Sequence, residues 1–433
     1  MNILDLSEKK VLKNTKHWKA ELNQLYHPTA KYPIDSIDIV YSRSSVEKTK
    51  FLPILLKEWF YLIKKDGYLV IDYAPNKNCD FKKLEETMWW LWKKKYNIIF
   101  HGEMNALELK NTSTQSFKKF ITLQENYYKN NLDSITKLPV PLKTSTIPLS
   151  PNGYLRFVCR KTKFTQIAGD SIDKWTFGII TNGVRLDLIE KIIDSIKAQK
   201  IPHYEVILCG RYMDRAEKNI KYIPFNERDD KGWITKKKNI IVDNATYENI
   251  CIIHDRVALK KDWYRGMKKW GNCFEHLACA QYFNDVRTND WLLHEKLPGI
   301  EYSFVSHLDF RDWDLNACQG GQHHIVKKRH IQKVYWDESY LWGRAEDVKV
   351  TNDLRYNGHI IRCNPYASLD TLIYKFGDLP QVTYNSQKLS QKRIGNMKRI
   401  VARQLYMHIA AHRVIQNFVL NSVQKLSKKN FIK

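Results

Sequence analysis

The chain has 433 residues, of which 43% are apolar, 12% aromatic and 27% charged, with 13 Trp. That composition excludes a disordered, fibrous or collagen-like chain, and at roughly 100 to 200 residues per domain the length predicts two or three domains, each able to bury a core. The net charge of +25 is uneven: residues 1–173 hold 28 basic and 18 acidic residues, 174–380 hold 32 and 28, and 381–433 hold 11 basic and no acidic ones. A nucleic-acid enzyme concentrates positive charge around its chemistry, so the balanced middle argues against a nucleic-acid partner.

In chain order, Ile37–Tyr41 reads as a buried strand, Phe51–Ile63 as an amphipathic helix, and Gly67–Tyr73 as a second strand after a Lys-Asp-Gly turn. A Trp-rich helix is expected over Phe81–Tyr96, then a strand pair at Asn105–Lys110 and Tyr154–Lys161 separated by a polar insertion over 111–151. A new alternation begins at Trp175. It predicts helix Leu186–Lys197, strands Tyr204–Cys209 and Lys221–Pro224, helix Thr235–Asn244 and strand Ile250–Ile253. Strands separated by helices imply a mainly parallel sheet covered on both faces. The boundary is placed near residue 170, and the acid-free segment past about 380 is expected to be a helical tail.

The eight cysteines form no C-x-x-C pair, and several sit in apolar runs such as Val206–Cys209, so they read as buried free thiols of a reducing compartment. The start lacks a charged-then-apolar leader and no apolar run approaches about 18 residues. The expected location is cytoplasmic, either soluble or peripheral on the inner membrane face.

Three constellations carry chemistry. His254-Asp255-Arg256 follows the apolar strand 250–253 directly, where open parallel sheets bind ligands, so the Asp255 carboxylate can hold a divalent cation or simply cap a turn. Glu346-Asp347 opens a segment of helical spacing stopped by Gly358; the helix dipole alone accounts for acids there, and adjacent carboxylates in different surroundings can also leave one as a general base. In the third, Thr235 is the expected cap of a helix whose first turn carries Lys236, Lys237 and Lys238, which opposes the dipole unless a phosphate-bearing ligand sits there. Gly320-Gly321 before His323-His324 reads as a loop of close backbone approach ahead of an edge strand, with the two imidazoles on opposite faces. There is no P-loop and no G-x-G-x-x-G.

Put in order, these elements resemble the GT-A fold inverting glycosyltransferases of the family 2-like group, over about residues 174–375. The resemblance implies an α/β nucleotide-diphospho-sugar transferase domain in which Asn182 and Gly183 lie near the base or ribose, Lys237, Asn239, His254 and Arg256 contact the donor, and Asp255 coordinates Mn2+ or Mg2+ on the nucleotide-sugar diphosphate. It implies Asp347 as catalytic base, with Glu346 second. The usual D-x-D is reduced here to one carboxylate beside His254 and Arg256. The N-terminal part, through 37–41 and 62–71, resembles the second half of a class I S-adenosylmethionine methyltransferase. Residues 1–173 contain only Gly67, Gly102, Gly153 and Gly169, well separated, so this part is expected to be a degenerate scaffold.

The tail places Met397, Ile400, Val401, Leu405 and Ile409 at helical spacing with Lys398, Arg399, Arg403 and Arg413 on other faces, a pattern that fits an anionic membrane surface or packing on the body of the protein. The function expected is metal-assisted sugar transfer from a nucleotide sugar to a glycan or lipid-linked acceptor hydroxyl in surface polysaccharide synthesis. The alternatives are methyl transfer through the N-terminal part and a basic nucleic-acid-binding protein.

Overall fold

The computed structural model describes residues 2–7, 9, 11–12, 15–19, 23–103, 115, 119–123, 126, 153–165, 169–212, 217–226, 232–288, 290–296 and 303–373. The expected strand at 105–110, most of the 111–151 insertion and the whole tail from 381, including Met397 to Arg413, lie outside the described residues.

The first sheet is built from β1 (Ile3–Asp5), β2 (Lys16–His17), β3 (Ile37–Arg43), β4 (Ile63–Tyr73), β5 (Tyr96–Glu103) and β6 (Leu155–Lys161), in the order β2-β1-β3-β4-β6-β5. β1 to β4 run parallel, and β6 is antiparallel to both its neighbours. Helices α1 (Leu52–Leu62) and α2 (Phe81–Trp92) supply the connections. Two expectations are corrected. β6 pairs with β4 on one side and with 96–103 on the other, because after α2 and a single 3-10 turn at Lys93–Lys95 the chain enters β5. Lys65-Asp66-Gly67 lies inside β4 rather than before it: β4 starts at Ile63, and the left-handed Asp66 (φ 66°) accompanies a register shift against β3 between Ile37 and Ile39.

The second sheet contains nine described strands: β7 (Lys174–Ile180), β8 (His203–Gly210), β9 (Ile220–Pro224), β10 (Asn249–His254), β11 (Val257–Leu259), β12 (His276–Phe283), β13 (Val286–Arg287), β17 (His323–Lys327) and β18 (Ile361–Thr371). Its order is β11-β18-β12-β17-β10-β7-β8-β9, with β13 paired to β12. β7, β8, β9 and β10 are mutually parallel, while β17 runs antiparallel between β10 and β12. β17 is therefore central, not an edge: its five residues are all buried and pair with β10, and Ile325 and Val326 also pair with β12. Between β13 and β17, β14 (Leu292–Lys296), β15 (Ser303–His307) and β16 (Ala317–Cys318) form a small antiparallel sheet.

Alternation dictates which helices cover which face. Val206 and Leu208 of β8 and Cys251 and Ile253 of β10 pack with α3 (Leu186–Lys197) and α5 (Trp263–Trp270). Ile207, Cys209, Ile250 and Ile252 point the other way, onto α4 (Ile234–Asn244) and α7 (Glu346–Tyr356), with the single turn α6 (Lys328–Ile331) between β17 and α7. This is the two-faced α/β architecture implied by the GT-A resemblance. All eight cysteines are free and buried, as expected.

The two sheets do not have wholly separate cores. One apolar cluster joins Trp59, Phe60 and Leu69 of the first part to Ala278, Trp291, Trp313 and Cys363 of the second. Buried ion pairs cross the same junction: Lys57 to Glu275 at 2.7 Å, and Arg362 to Glu58. Removing one partner of such a pair strands a buried charge, at a cost of roughly 3–5 kcal/mol.

Candidate active site at the carboxyl edge of the second sheet

β7 and β10 end side by side, and their following residues interlock. The Thr181 hydroxyl donates to Asp255 Oδ2 at 3.0 Å, the Arg185 guanidinium donates to Asp255 Oδ1 at 3.0 Å, and the Asp255 amide donates to the Ile180 carbonyl at 3.2 Å. Gly183 follows Asn182 in a left-handed conformation (φ 83°); a Cβ there would come within 2.8 Å of Arg211 Cβ, so the turn requires glycine. The Asn182 side chain accepts from Val184 N at 3.2 Å, shaping that same turn.

Helix α4 runs beneath this edge because Gly178 of β7 has no side chain: a Cβ would meet Ile241 Cγ2 at 2.5 Å. Its lysines divide the work. Lys237 is buried and donates to the Thr181 carbonyl at 3.0 Å, behind the Asp255 cluster. Lys238, also buried, donates to Glu346 Oε1 at 3.2 Å and to the Gly321 carbonyl at 3.3 Å. Lys236 pairs with Glu338 at 3.0 Å. Thr235 is not the helix cap: Trp233 occupies that position, and the Thr235 hydroxyl donates to the Tyr340 carbonyl instead. Asn239 holds the 336–338 loop, accepting from Trp336 N at 2.9 Å and donating to the Trp336 carbonyl at 2.8 Å.

His254 marks the electrostatics. Burial, with Lys238, Arg256, Lys237 and Arg185 close by, holds its imidazole well below the ordinary histidine range, so it is neutral among four cations. Those cations outnumber the carboxylates they surround, Asp255 and Glu346, and the edge is poised for an anion.

The acid pair opens α7 as expected. The preceding Ala345 sits in the left-handed region (φ 57°), a strained position of a kind that clusters at functional sites. Glu346 is buried against Lys238, whereas Asp347 is half-buried and accepts from Val348 N at 2.9 Å. Burial, then the Glu346 charge, push the Asp347 carboxyl up to about 6. Gly321 crosses directly over the pair: a Cβ would lie 2.6 Å from Glu346 Oε1 and 3.3 Å from Asp347 Oδ2. Since His254 N donates to the Gln322 carbonyl at 3.0 Å, the Asp255 and Glu346–Asp347 groups are joined through residues 321–322 and Lys238.

The structure thus brings Asn182, Gly183, Lys237, His254, Asp255, Arg256, Glu346 and Asp347 to one edge, while Asn239 serves the neighbouring loop. Sequence reasoning missed Thr181, Arg185, Lys238 and Gly321. Only Lys238 and Gly321 carried a signal, as members of the lysine run and the glycine pair.

Asp255 has no second and third His, Cys or carboxylate ligand completing a set among the described residues. Asp255 is buried at 6% exposure and accepts from Thr181 and Arg185; a lone carboxylate of this kind suits Mg2+ or Mn2+, which are commonly held by one or two carboxylates plus the substrate's phosphates. A three-donor cluster does exist elsewhere: Glu275, His330 and His359 bring ligand atoms within 4.8 Å. Glu275, however, already accepts from Lys57, Tyr61, His359 and Ile360 N.

No family model matches the chain, and no curated protein matches it. Solved structures do. A mannosyltransferase, PcManGT from Pyrobaculum calidifontis in complex with GDP-Man and Mn2+, is 14% identical with a TM-score of 0.35, covering 47% of this chain and 58% of its own. S. aureus TarS 1-349 in complex with UDP-GlcNAc is 14% identical with a TM-score of 0.33, over 49% of this chain and 62% of its own. GalNAc-T7 with UDP, GalNAc and Mn2+ is 11% identical with a TM-score of 0.37, over 51% and 47%. The matched region spans less than two thirds of each of these proteins.

Proposed function

We propose that this protein transfers a sugar from a nucleotide-sugar donor to an acceptor hydroxyl, with Mn2+ or Mg2+ as cofactor. One observation carries the reading: a cation-rich edge holding Asp255 is joined through residues 321–322 and Lys238 to the Glu346–Asp347 pair, in which the proton affinity of Asp347 is raised.

In this reading the donor diphosphate rests on the edge, where Arg185, Lys237 and Arg256 supply positive charge and the Asn182–Gly183 turn lies beside the base or ribose. A metal held by Asp255 would neutralise charge on the leaving diphosphate. Asp347 takes the proton of the attacking hydroxyl, and the displacement inverts the anomeric carbon. Its elevated proton affinity suits a base working near neutral pH. Glu346, paired with Lys238, maintains that affinity and orients the helix start. Trp233, whose indole donates to the Glu338 carbonyl, and Trp342, whose backbone amide donates to the Gly232 carbonyl, are exposed and offer flat faces to an acceptor glycan. Membrane attachment through the basic tail, lipid-linked acceptors and a role in surface polysaccharide synthesis belong to the same proposal; no helix among the described residues is long and apolar enough to cross a membrane.

The first sheet is read as the degenerate, methyltransferase-like scaffold. Its strand-end carboxylates are closed by internal partners, which supports a structural role over methyl transfer.

The test is a thermal-shift panel of UDP, GDP, CMP and dTDP sugars with and without Mn2+ or Mg2+, repeated on Asp255→Ala. A metal-dependent shift for one nucleotide class, lost in the variant, is expected. No shift with any donor would sink the reading.

A further inference from the structure

The junction between the two sheets holds a cavity of about 410 Å³ whose charge nothing so far explains. Lys57, Lys93, Lys95 and Lys163 line it from the first part and Lys333 from the second, with Glu275 the only carboxylate lining it among the described residues. Lys57 is buried and spent on Glu275 at 2.7 Å. Lys93, Lys95, Lys163 and Lys333 are exposed and have no ion pair among the described residues.

Gathering five ammonium groups around one carboxylate costs repulsion. Lys95 shows it: burial, then Lys57, with Lys333 and Arg329 adding, draw its ammonium below the ordinary range. Trp92 and Trp89 supply the apolar wall. Trp92 is 2% exposed, and its indole Nε1 is buried without an acceptor; Trp89 is 56% exposed. A pocket of unpaired cations beside an exposed ring face is complementary to an anion that carries an apolar or ring portion.

We infer that this cavity binds a phosphate-bearing ligand. The free cations are all lysines, compact point charges that suit a phosphate, whereas planar carboxylate recognition favours the arginine fork. The same surroundings repel a divalent cation at Glu275, His330 and His359. The cavity is distinct from the acid pair: Asn357, which lines it, caps the far end of α7, ten residues from Asp347 at the helix start, about 15 Å at 1.5 Å per residue. Phosphate can arrive as an inorganic anion, on a sugar or on a nucleotide, and the test separates these.

Isothermal titration of the full chain in EDTA with pyrophosphate, a hexose phosphate and a nucleoside monophosphate reads the site without the metal-dependent donor edge. Wild type is expected to bind at least one of the three. The Lys95→Glu/Lys333→Glu variant should bind it at least tenfold more weakly, while Lys237→Ala leaves it unchanged. Lys163→Glu, at the exposed rim, should weaken binding in the same direction, and decides the matter if the double variant melts early. A ring-bearing phosphate that outbinds pyrophosphate, with the difference erased by Trp89→Ala, identifies a sugar or nucleotide ligand; pyrophosphate as the tightest identifies an inorganic one. The inference is overturned if no probe binds wild type, if charge reversal leaves affinity unchanged, or if binding is lost only in Lys237→Ala. None of these results bears on metal-dependent donor binding, which is measured separately.

Discussion

Two sheets in one chain carry buried aspartates at the ends of their parallel strands, and the surroundings of those aspartates differ. In the first sheet, Asp72 ends β4 with Arg156 at 2.6 and 2.8 Å, Arg43 at 3.0 Å and the Tyr41 hydroxyl at 2.6 Å. Burial alone would raise its carboxyl, but Arg156, Tyr41 and Arg43 hold it below the ordinary range. Asp5 is likewise saturated, accepting from Ser7, Val11 and Leu12 amides. In the second sheet, Asp255 is held by one hydroxyl and one half-exposed arginine, and Asp347 by a single backbone amide at a strained helix start. A carboxylate saturated by partners stabilises the fold; one with fewer partners and cations in excess nearby can still take up a ligand.

The sharpest way to break this comparison is Asp347→Asn. If the open carboxylate is the base, kcat should fall about 10²- to 10⁴-fold with little change in donor affinity, measured by sugar transfer at saturating donor. Asp72→Ala should do the reverse. It strands Arg156 in the interior, so a loss of roughly 3–5 kcal/mol in unfolding free energy is expected by denaturant titration, with activity per folded molecule retained. Asp255→Ala should abolish metal-dependent donor stabilisation, worth about 2.7 kcal/mol in wild type at a hundredfold excess over Kd, and leave the unliganded Tm nearly unchanged.

The pH dependence sharpens the pair further. With Asp347 pushed up to about 6, kcat should rise with pH through that value. Glu346→Gln removes the like charge and should move the midpoint down. The folded carboxyl keeps its proton at a pH where an ordinary aspartate of the unfolded chain has lost it, so this group's contribution to stability is present below about 4 and is lost as pH rises through about 6. A kcat limb that ignores Glu346→Gln would remove Asp347 from the role. The smallest effect expected is for Gly321→Ala, whose methyl group must displace the Glu346 carboxylate; it should lower kcat severalfold with a Tm close to wild type.

Much of the fold was legible in advance where periodicity and punctuation agreed. Helix 186–197, strands 204–209, 221–224 and 250–253 and helix 235–244 are found within a residue of their expected limits. The misreadings share a cause. The Lys-Asp-Gly at 65–67 carries turn chemistry, yet pairing with β3 absorbs it as an irregularity in a continuous strand. His323–Lys327 looked like an edge because of its polar, basic residues, but Gln281, Gln319 and Asp170 give His323, His324 and Lys327 partners in the interior.

The amino-acid order by itself determined the strand and helix rhythm, the acids at the start of α7 and the His-Asp pair at the end of β10, because those follow from local period and position. Only the tertiary structure decided that Lys238 rather than Lys237 meets the acid pair, that Thr181 and Arg185 share Asp255, and that five lysines from four separate stretches of the chain line one cavity. Such partnerships depend on which strand ends and helix faces are brought together by long-range pairing, and no local pattern encodes them.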